Sequence, residues 1–164
     1  MTSNRLYEDK ELAAALGTAK YHIDTAGLKE GETYVWFPTL GDSMTDKTPK
    51  SIPSGSLVLG RCLQLNSVSD IPLHRPIVVI IHFGGSQYCL LKSGCAIQND
   101  SEAHDGASDQ MLCLRSYNPA PRCDDLWVLY NTIKFVFVVE KVQLPNGKEF
   151  VPKQEEVVRA ERNH

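Results

Sequence analysis

The chain has 164 residues, of which 42% are apolar and 23% charged, an ordinary composition for one globular domain with a real core. A formal net charge of -3 and a pI of about 5.9 argue against a protein that grips nucleic acid through a basic face. No stretch approaches the roughly 20 apolar residues of a membrane-spanning helix. The opening MTSNRLYEDK lacks the apolar core of a secretory signal, so a cytoplasmic protein without membrane attachment is expected.

Taken in chain order, residues 8–24 (EDKELAAALGTAKYHID) place Leu12, Ala13, Leu16 and Ala19 at helical spacing, with acids at the start where a helix dipole favours them. One short N-terminal helix is predicted there. A helix-turn-helix reader needs a second helix, for which there is no room before TYVWFP at 33–38, so no direct DNA binding is expected.

Short β-rich runs follow at 33–38, 56–63, 76–83, 87–92, 111–117, 126–130 and 133–144, punctuated by Pro53-Ser54-Gly55, Gly84-Gly85, Asn118-Pro119 and Asn146-Gly147. The connections are too short for crossover helices, so the pattern predicts a mainly β fold, a compact and mostly antiparallel sheet or barrel. Residues 98–109 are polar and read as a surface loop. The charged stretch after Pro152 reads as either a last helical turn or an unstructured tail. The resulting division is an N-terminal helical arm at 1–32, a β domain at 33–144 and a tail at 145–164.

The cysteines Cys62, Cys89, Cys95, Cys113 and Cys123 are odd in number and include no C-x-x-C pair, so neither a metal site nor a cofactor is expected. Cys62, Cys89 and Cys113 lie in apolar runs and read as small hydrophobes.

One short stretch carries chemistry: LGDSMT at 40–45. A serine hydroxyl needs an adjacent base to become a nucleophile at neutral pH. The histidines, His22 (placed on the helix), His74, His82, His104 and His164, have no carboxylate set by any motif to orient them, which makes a Ser-His-Asp triad a weak reading. Lys92 ends the apolar run QYCLL, where an ammonium is partly desolvated and its pKa falls. On composition alone, a strand-end lysine snorkelling to solvent is the stronger account. Gly41 permits a tight turn, Ser43 projects from it, Met44 suits an irregular pocket wall, and backbone N–H groups near Ser43 offer an oxyanion hole.

Read together, LGDSMTD at 40–46, SIPSGSLVLGR at 51–61, RPIVVIIHFGGSQYCLLK at 75–92 and LRSYNPAPRCDDLWVL at 114–129 resemble the LexA/UmuD-type Ser-Lys peptidase family, over residues 33–143. The resemblance implies the signal-peptidase-like β fold of the LexA C-terminal domain, with Ser43 as nucleophile, Lys92 as general base, and Gly41, Asp42 and Met44 supporting the pocket. The Ser-to-Lys spacing exceeds the family's usual one, which points to an insertion at 62–75.

Self-cleaving members cut at a small-residue–Gly bond, and Ala26-Gly27 offers one. Gly27 stands only 16 positions before Ser43 (43 − 27), and the plainer account is that it caps the helix. Ser54-Gly55-Ser56 replaces the acid-Gly-acid turn of many relatives. The resemblance therefore implies a serine peptidase that hydrolyses a peptide bond in itself or in a protein partner, in a repressor or stress-response (SOS) setting, as a homodimer. The alternative is a non-catalytic dimerisation or partner-binding module with the same fold. IKFVFVVEKV serves as a core or an interface strand, with core the favoured role.

Overall fold

The apolar runs form a single antiparallel sheet in a computed structural model, which describes residues 22–23, 32–98 and 110–155. Its strands are β1 (His22–Ile23), β2 (Tyr34–Pro38), β3 (Leu57–Cys62), β4 (Pro76–Phe83), β5 (Ser86–Gln98), β6 (Met111–Arg115), β7 (Leu126–Leu129), β8 (Ile133–Gln143) and β9 (Glu149–Phe150). The spatial order is β1-β2-β3-β8-β4-β5-β6-β7, with β9 paired to β8. β8 therefore stitches the N-terminal strands to the β4–β7 meander.

Side chains of a strand alternate between faces, and both faces of this sheet are covered. Val78 and Ile80 of β4 join Phe135, Phe137 and Val139 of β8 in one cluster, with Val35, Phe37 and Val58. Ile77, Val79 and Ile81 join Val136, Leu112 and Leu114 in the other. Burial on both sides is why PIVVIIHF and IKFVFVVEKV are apolar at almost every position. The segment at 62–75 covers the second face: Val68 and Ile71 are buried there, and Leu63, Leu65 and Leu73 pack beside them.

The turns follow the sequence closely. Gly84 and Gly85 both have positive φ, 62° and 82°, as a two-residue hairpin between β4 and β5 requires.

Several expectations are corrected. Most of the helix predicted at 8–24 lies outside the described residues, but His22 and Ile23 are strand, paired with Trp36 and Val35, so His22 is not helical. β5 runs to Gln98, so Lys92 sits inside a strand and does not end one. Cys89 is exposed and is no core residue. After the short β9, residues 151–155 are neither strand nor helix, yet Gln154 and Glu155 are docked through hydrogen bonds to Leu73, His74, Ser93 and Tyr117. The remainder of the loop at 98–109, from 99, and of the tail, from 156, lies outside the described residues.

Gly60 sits at a register shift where β3 meets β8, and a Cβ there would stand 2.7 Å from Cβ of Phe137 and 3.2 Å from Cε2 of Phe37. Overpacking of this kind costs about 1–3 kcal/mol. Gly60→Ala is expected to lower the unfolding free energy in urea by that amount, with a matching fall in the midpoint, and an unchanged midpoint would show that β3 and β8 part without strain.

Candidate active site

The loop bearing Ser43 is shaped by what precedes it. Thr39, just past β2, is pinned to the 53–56 turn: its N–H donates to Ser56 O at 2.9 Å and its hydroxyl to Pro53 O and Ser56 O at 3.1 and 3.0 Å. Gly41 then takes φ +81°, a conformation glycine adopts without a Cβ penalty. A tight turn closes with Thr45 N donating to Asp42 O at 3.0 Å. Met44, only 3% exposed, plugs into the first core cluster and anchors the loop from below. Ser43 is left half-buried between exposed Asp42 and buried Met44.

The segment after β6 holds the same loop from the other side. Asn118 N donates to Ser43 O at 2.9 Å, and Asn118 Nδ2 to Asp42 O at 3.0 Å. Arg122 reaches both Asp42 oxygens, Nη2 to Oδ2 at 2.6 Å and Nη1 to Oδ1 at 3.3 Å. Both side chains of that ion pair are more than half exposed, so its contribution to stability is small. Its value is geometric, because it ties the turn to the chain that carries Ser116.

Lys92 is half-buried on β5 opposite Ile77. Burial lowers its pKa from the ordinary lysine value, and the neighbouring Cys123 thiol opposes that shift. Its Nζ donates to Ser116 Oγ at 2.8 Å. Ser43, Lys92, Gly41 and Met44 line one cavity of about 240 Å³, walled by Phe37 and Leu91 among others. The predicted pair is thus brought to one cavity, while the hydrogen bond made by Lys92 among the described residues goes to Ser116 and not to Ser43. Ser116 is 7% exposed, whereas Ser43 stands on a turn at the cavity wall, so the two serines differ in what they can meet. Among the described residues, none accepts from the N–H of Ser43 or Met44, which leaves these two backbone donors near Ser43 open to an oxyanion.

A third layer supports this arrangement. The Glu155 carboxylate accepts from Ser93 Oγ at 3.1 and 3.3 Å and from the Tyr117 hydroxyl. Ser93 follows Lys92 and Tyr117 follows Ser116, so one carboxylate joins the residues next to both members of the Lys92–Ser116 pair. Glu155 N donates to His74 O at 2.7 Å and Gln154 Nε2 to Leu73 O at 2.9 Å, which docks the segment as a strap. Burial, and then the carboxylate, hold the Tyr117 phenol above its ordinary range. Lys50 caps the far side, with its Nζ 4.6 Å from the Tyr117 ring centroid.

Ser116, Asn118, Arg122 and Glu155 were not legible as site residues. The first three fall in the block LRSYNPAPRC, which marked the region without singling out a side chain. Glu155 gave no signal, since it is one acid in a charged tail. The candidate scissile bond Ala26-Gly27 lies outside the described residues. Cys95, Cys113 and Asp125 converge within 4.8 Å, a grouping that the C-x-x-C criterion misses because it arises across strands. No helix among the described residues is long and apolar enough to cross a membrane. No family model, curated protein or solved structure matches the chain.

Ser93 is 4% exposed, so removing Glu155 strands a buried hydroxyl, at a cost of about 1–3 kcal/mol. Glu155→Ala is expected to lose that much stability in urea unfolding, and Glu155→Gln, which keeps an acceptor, to lose less. Equal midpoints for wild type and Glu155→Ala would mean that the strap is not docked in solution.

Proposed function

We propose that this chain is a serine peptidase domain of the LexA/UmuD type, with its signal-peptidase-like fold, which hydrolyses a peptide bond through Ser43 and Lys92. The observation that carries the reading is a partly desolvated lysine with a lowered pKa in the same cavity as a serine projected by a positive-φ glycine turn. Burial is what makes a lysine a base, because it favours the neutral amine.

In this reading the long Lys92 side chain swings from Ser116 towards Ser43. The neutral amine takes the Ser43 Oγ proton as Oγ bonds to the scissile carbonyl carbon. The oxyanion forms beside the N–H groups of Ser43 and Met44. The carbon–nitrogen bond then breaks, and the Lys92 ammonium returns its proton to the leaving amine. Water, deprotonated by Lys92, hydrolyses the acyl ester and restores Ser43. Ser116 is the positioning residue that keeps the amine in the cavity between turnovers. The bond cut belongs to the chain's own N-terminal arm or to a protein partner, in a cytoplasmic, regulatory setting and as a homodimer.

One observation favours a second reading. Lys92 is bonded to Ser116 and not to Ser43, which suits a non-catalytic module that keeps the fold for partner binding.

Mass spectrometry of the purified chain, incubated alone and with denatured protein substrates, separates the two. Ser43→Ala and Lys92→Ala are each expected to lower cleavage by about 10³-fold or more, and Ser116→Ala by about 10-fold. Cleavage is expected to rise with pH through the lowered Lys92 pKa and to level off below the ordinary lysine value of 10.5, because only the neutral amine accepts the Ser43 proton. Absence of any fragment from wild type across that range would leave the binding module as the function.

A further inference from the structure

A pair of side chains away from the cavity carries chemistry of its own. β5 and β6 pair with Gly94 opposite Leu114 and Ala96 opposite Cys113, so Cys95 is the extra residue of a bulge. The bulge turns Cys95 onto its neighbour strand, and its Sγ lies 2.8 Å from Cys113 Sγ. That is within an ångström of the about 2.05 Å of a disulfide bond, and the Cα spacing of adjacent antiparallel strands, about 4.5–5.5 Å, falls in the range disulfides use.

Asp125 stands near both sulfurs, which raises the question of a metal. Two features speak for a bond between the sulfurs instead. Tetrahedral zinc with Zn–S of about 2.3 Å holds its thiolates about 3.8 Å apart, wider than this pair. Both Asp125 oxygens also accept from Arg115, at 3.0 and 2.7 Å, so a guanidinium already occupies the carboxylate.

We propose that Cys95 and Cys113 are a modification site, a cross-strand dithiol that hydrogen peroxide converts to a disulfide. Cys95 is half-buried and Cys113 is 2% exposed, so the oxidant meets Cys95. Its sulfur attacks one peroxide oxygen, the O–O bond breaks, and Cys95 sulfenic acid and water form. The Cys113 sulfur then attacks the sulfenic sulfur, the S–O bond breaks, and the thiol proton leaves with the departing oxygen as a second water. Peroxide gains two electrons and the two thiols lose two. Burial, and then donation of its S–H towards Cys95, push the Cys113 thiol pKa up, so Cys113 stays protonated and Cys95, the more exposed sulfur, is the one that meets peroxide first.

The position gives the bond a consequence, which rests on the peptidase reading. Cys95 stands three residues after Lys92 on β5, and Cys113 three residues before Ser116 (95 − 92 and 116 − 113). A bond there clamps the two strands whose continuation holds the Lys92–Ser116 contact, and lowers the freedom of Lys92 to swing towards Ser43.

The full chain, treated with stoichiometric hydrogen peroxide and mapped without reduction, tests the site. The expected result is loss of two hydrogen atoms from the intact mass, a linked peptide containing Cys95 and Cys113, and a fall in alkylatable thiols from five to three that dithiothreitol reverses. Cys113→Ala is expected to leave Cys95 as a dimedone-reactive sulfenic acid, and Cys95→Ser to abolish the link. Should Cys113→Ala fail to fold, the wild-type map alone decides. No linked peptide, a link to another cysteine, or stoichiometric zinc uptake by the reduced chain that blocks the link would each overturn the proposal. Cleavage measured before and after oxidation is expected to fall severalfold and to return with dithiothreitol. An inactive reduced protein that still forms the link would sink the peptidase reading and leave the modification site standing.

Discussion

A lysine amine held half out of water is the constraint on which the candidate site depends. An ammonium in bulk solvent is a poor base at neutral pH, and no rearrangement of nearby serines changes that. What changes it is removal of water, and β5 does this by carrying Lys92 past the apolar neighbours Leu90 and Leu91 into a cavity walled by Phe37 and Met44. The sheet is built to make that placement firm. β4 and β8 are buried on both faces, β5 is hydrogen-bonded along the whole length of β4, and Ile77 sits opposite Lys92. A strand fixed on that scale cannot turn its lysine outward without breaking register, since a one-residue slip sends every side chain to the other face.

Much of the fold was legible because its signals are local. Apolar runs with two buried faces give long uninterrupted strands, and Gly84-Gly85 and Asn146-Gly147 mark hairpins through a backbone conformation that few other residues adopt. The run QYCLLK misled at one point. It looks like a strand that stops at Lys92, because SGC lacks β propensity, yet pairing with β6 continues the strand to Gln98. Tertiary pairing overrides a weak local preference there. His22 failed for the same reason in reverse, with helical spacing in the sequence and a strand partner in space.

The site was legible only where a residue's own neighbours explain it. Ser43 between Gly41 and Met44 and Lys92 within an apolar run carry their chemistry in short windows. Ser116, Asn118 and Glu155 do not, because their roles come from partners 24, 75 and 62 positions away: Lys92, Ser43 and Ser93 (116 − 92, 118 − 43, 155 − 93). A serine before Tyr-Asn-Pro reads as a turn, and a glutamate among QEEVV reads as a solvated charge. Neither sequence window contains the lysine or the hydroxyls that give those groups their function.

In the proposed peptidase, the support around the cavity gives two serines near one lysine different parts. Ser116 is buried and its backbone leads directly into Tyr117, whose hydroxyl is tied to Glu155, so its position is fixed by the strap and by β6. Ser43 is fixed only through its backbone: Asn118 holds its carbonyl, Met44 anchors the residue after it, and no bond restrains its hydroxyl among the described residues. A group that must attack a carbonyl needs a free hydroxyl on a rigid backbone, and one that must hold an amine in place needs the reverse. By that argument the bond from Lys92 to Ser116 is the resting arrangement of the proposed peptidase. In that proposal the amine passes from Ser116 to Ser43 by rotation about its four-carbon stem, helped by the give of the β5 and β6 strands that hold the two groups.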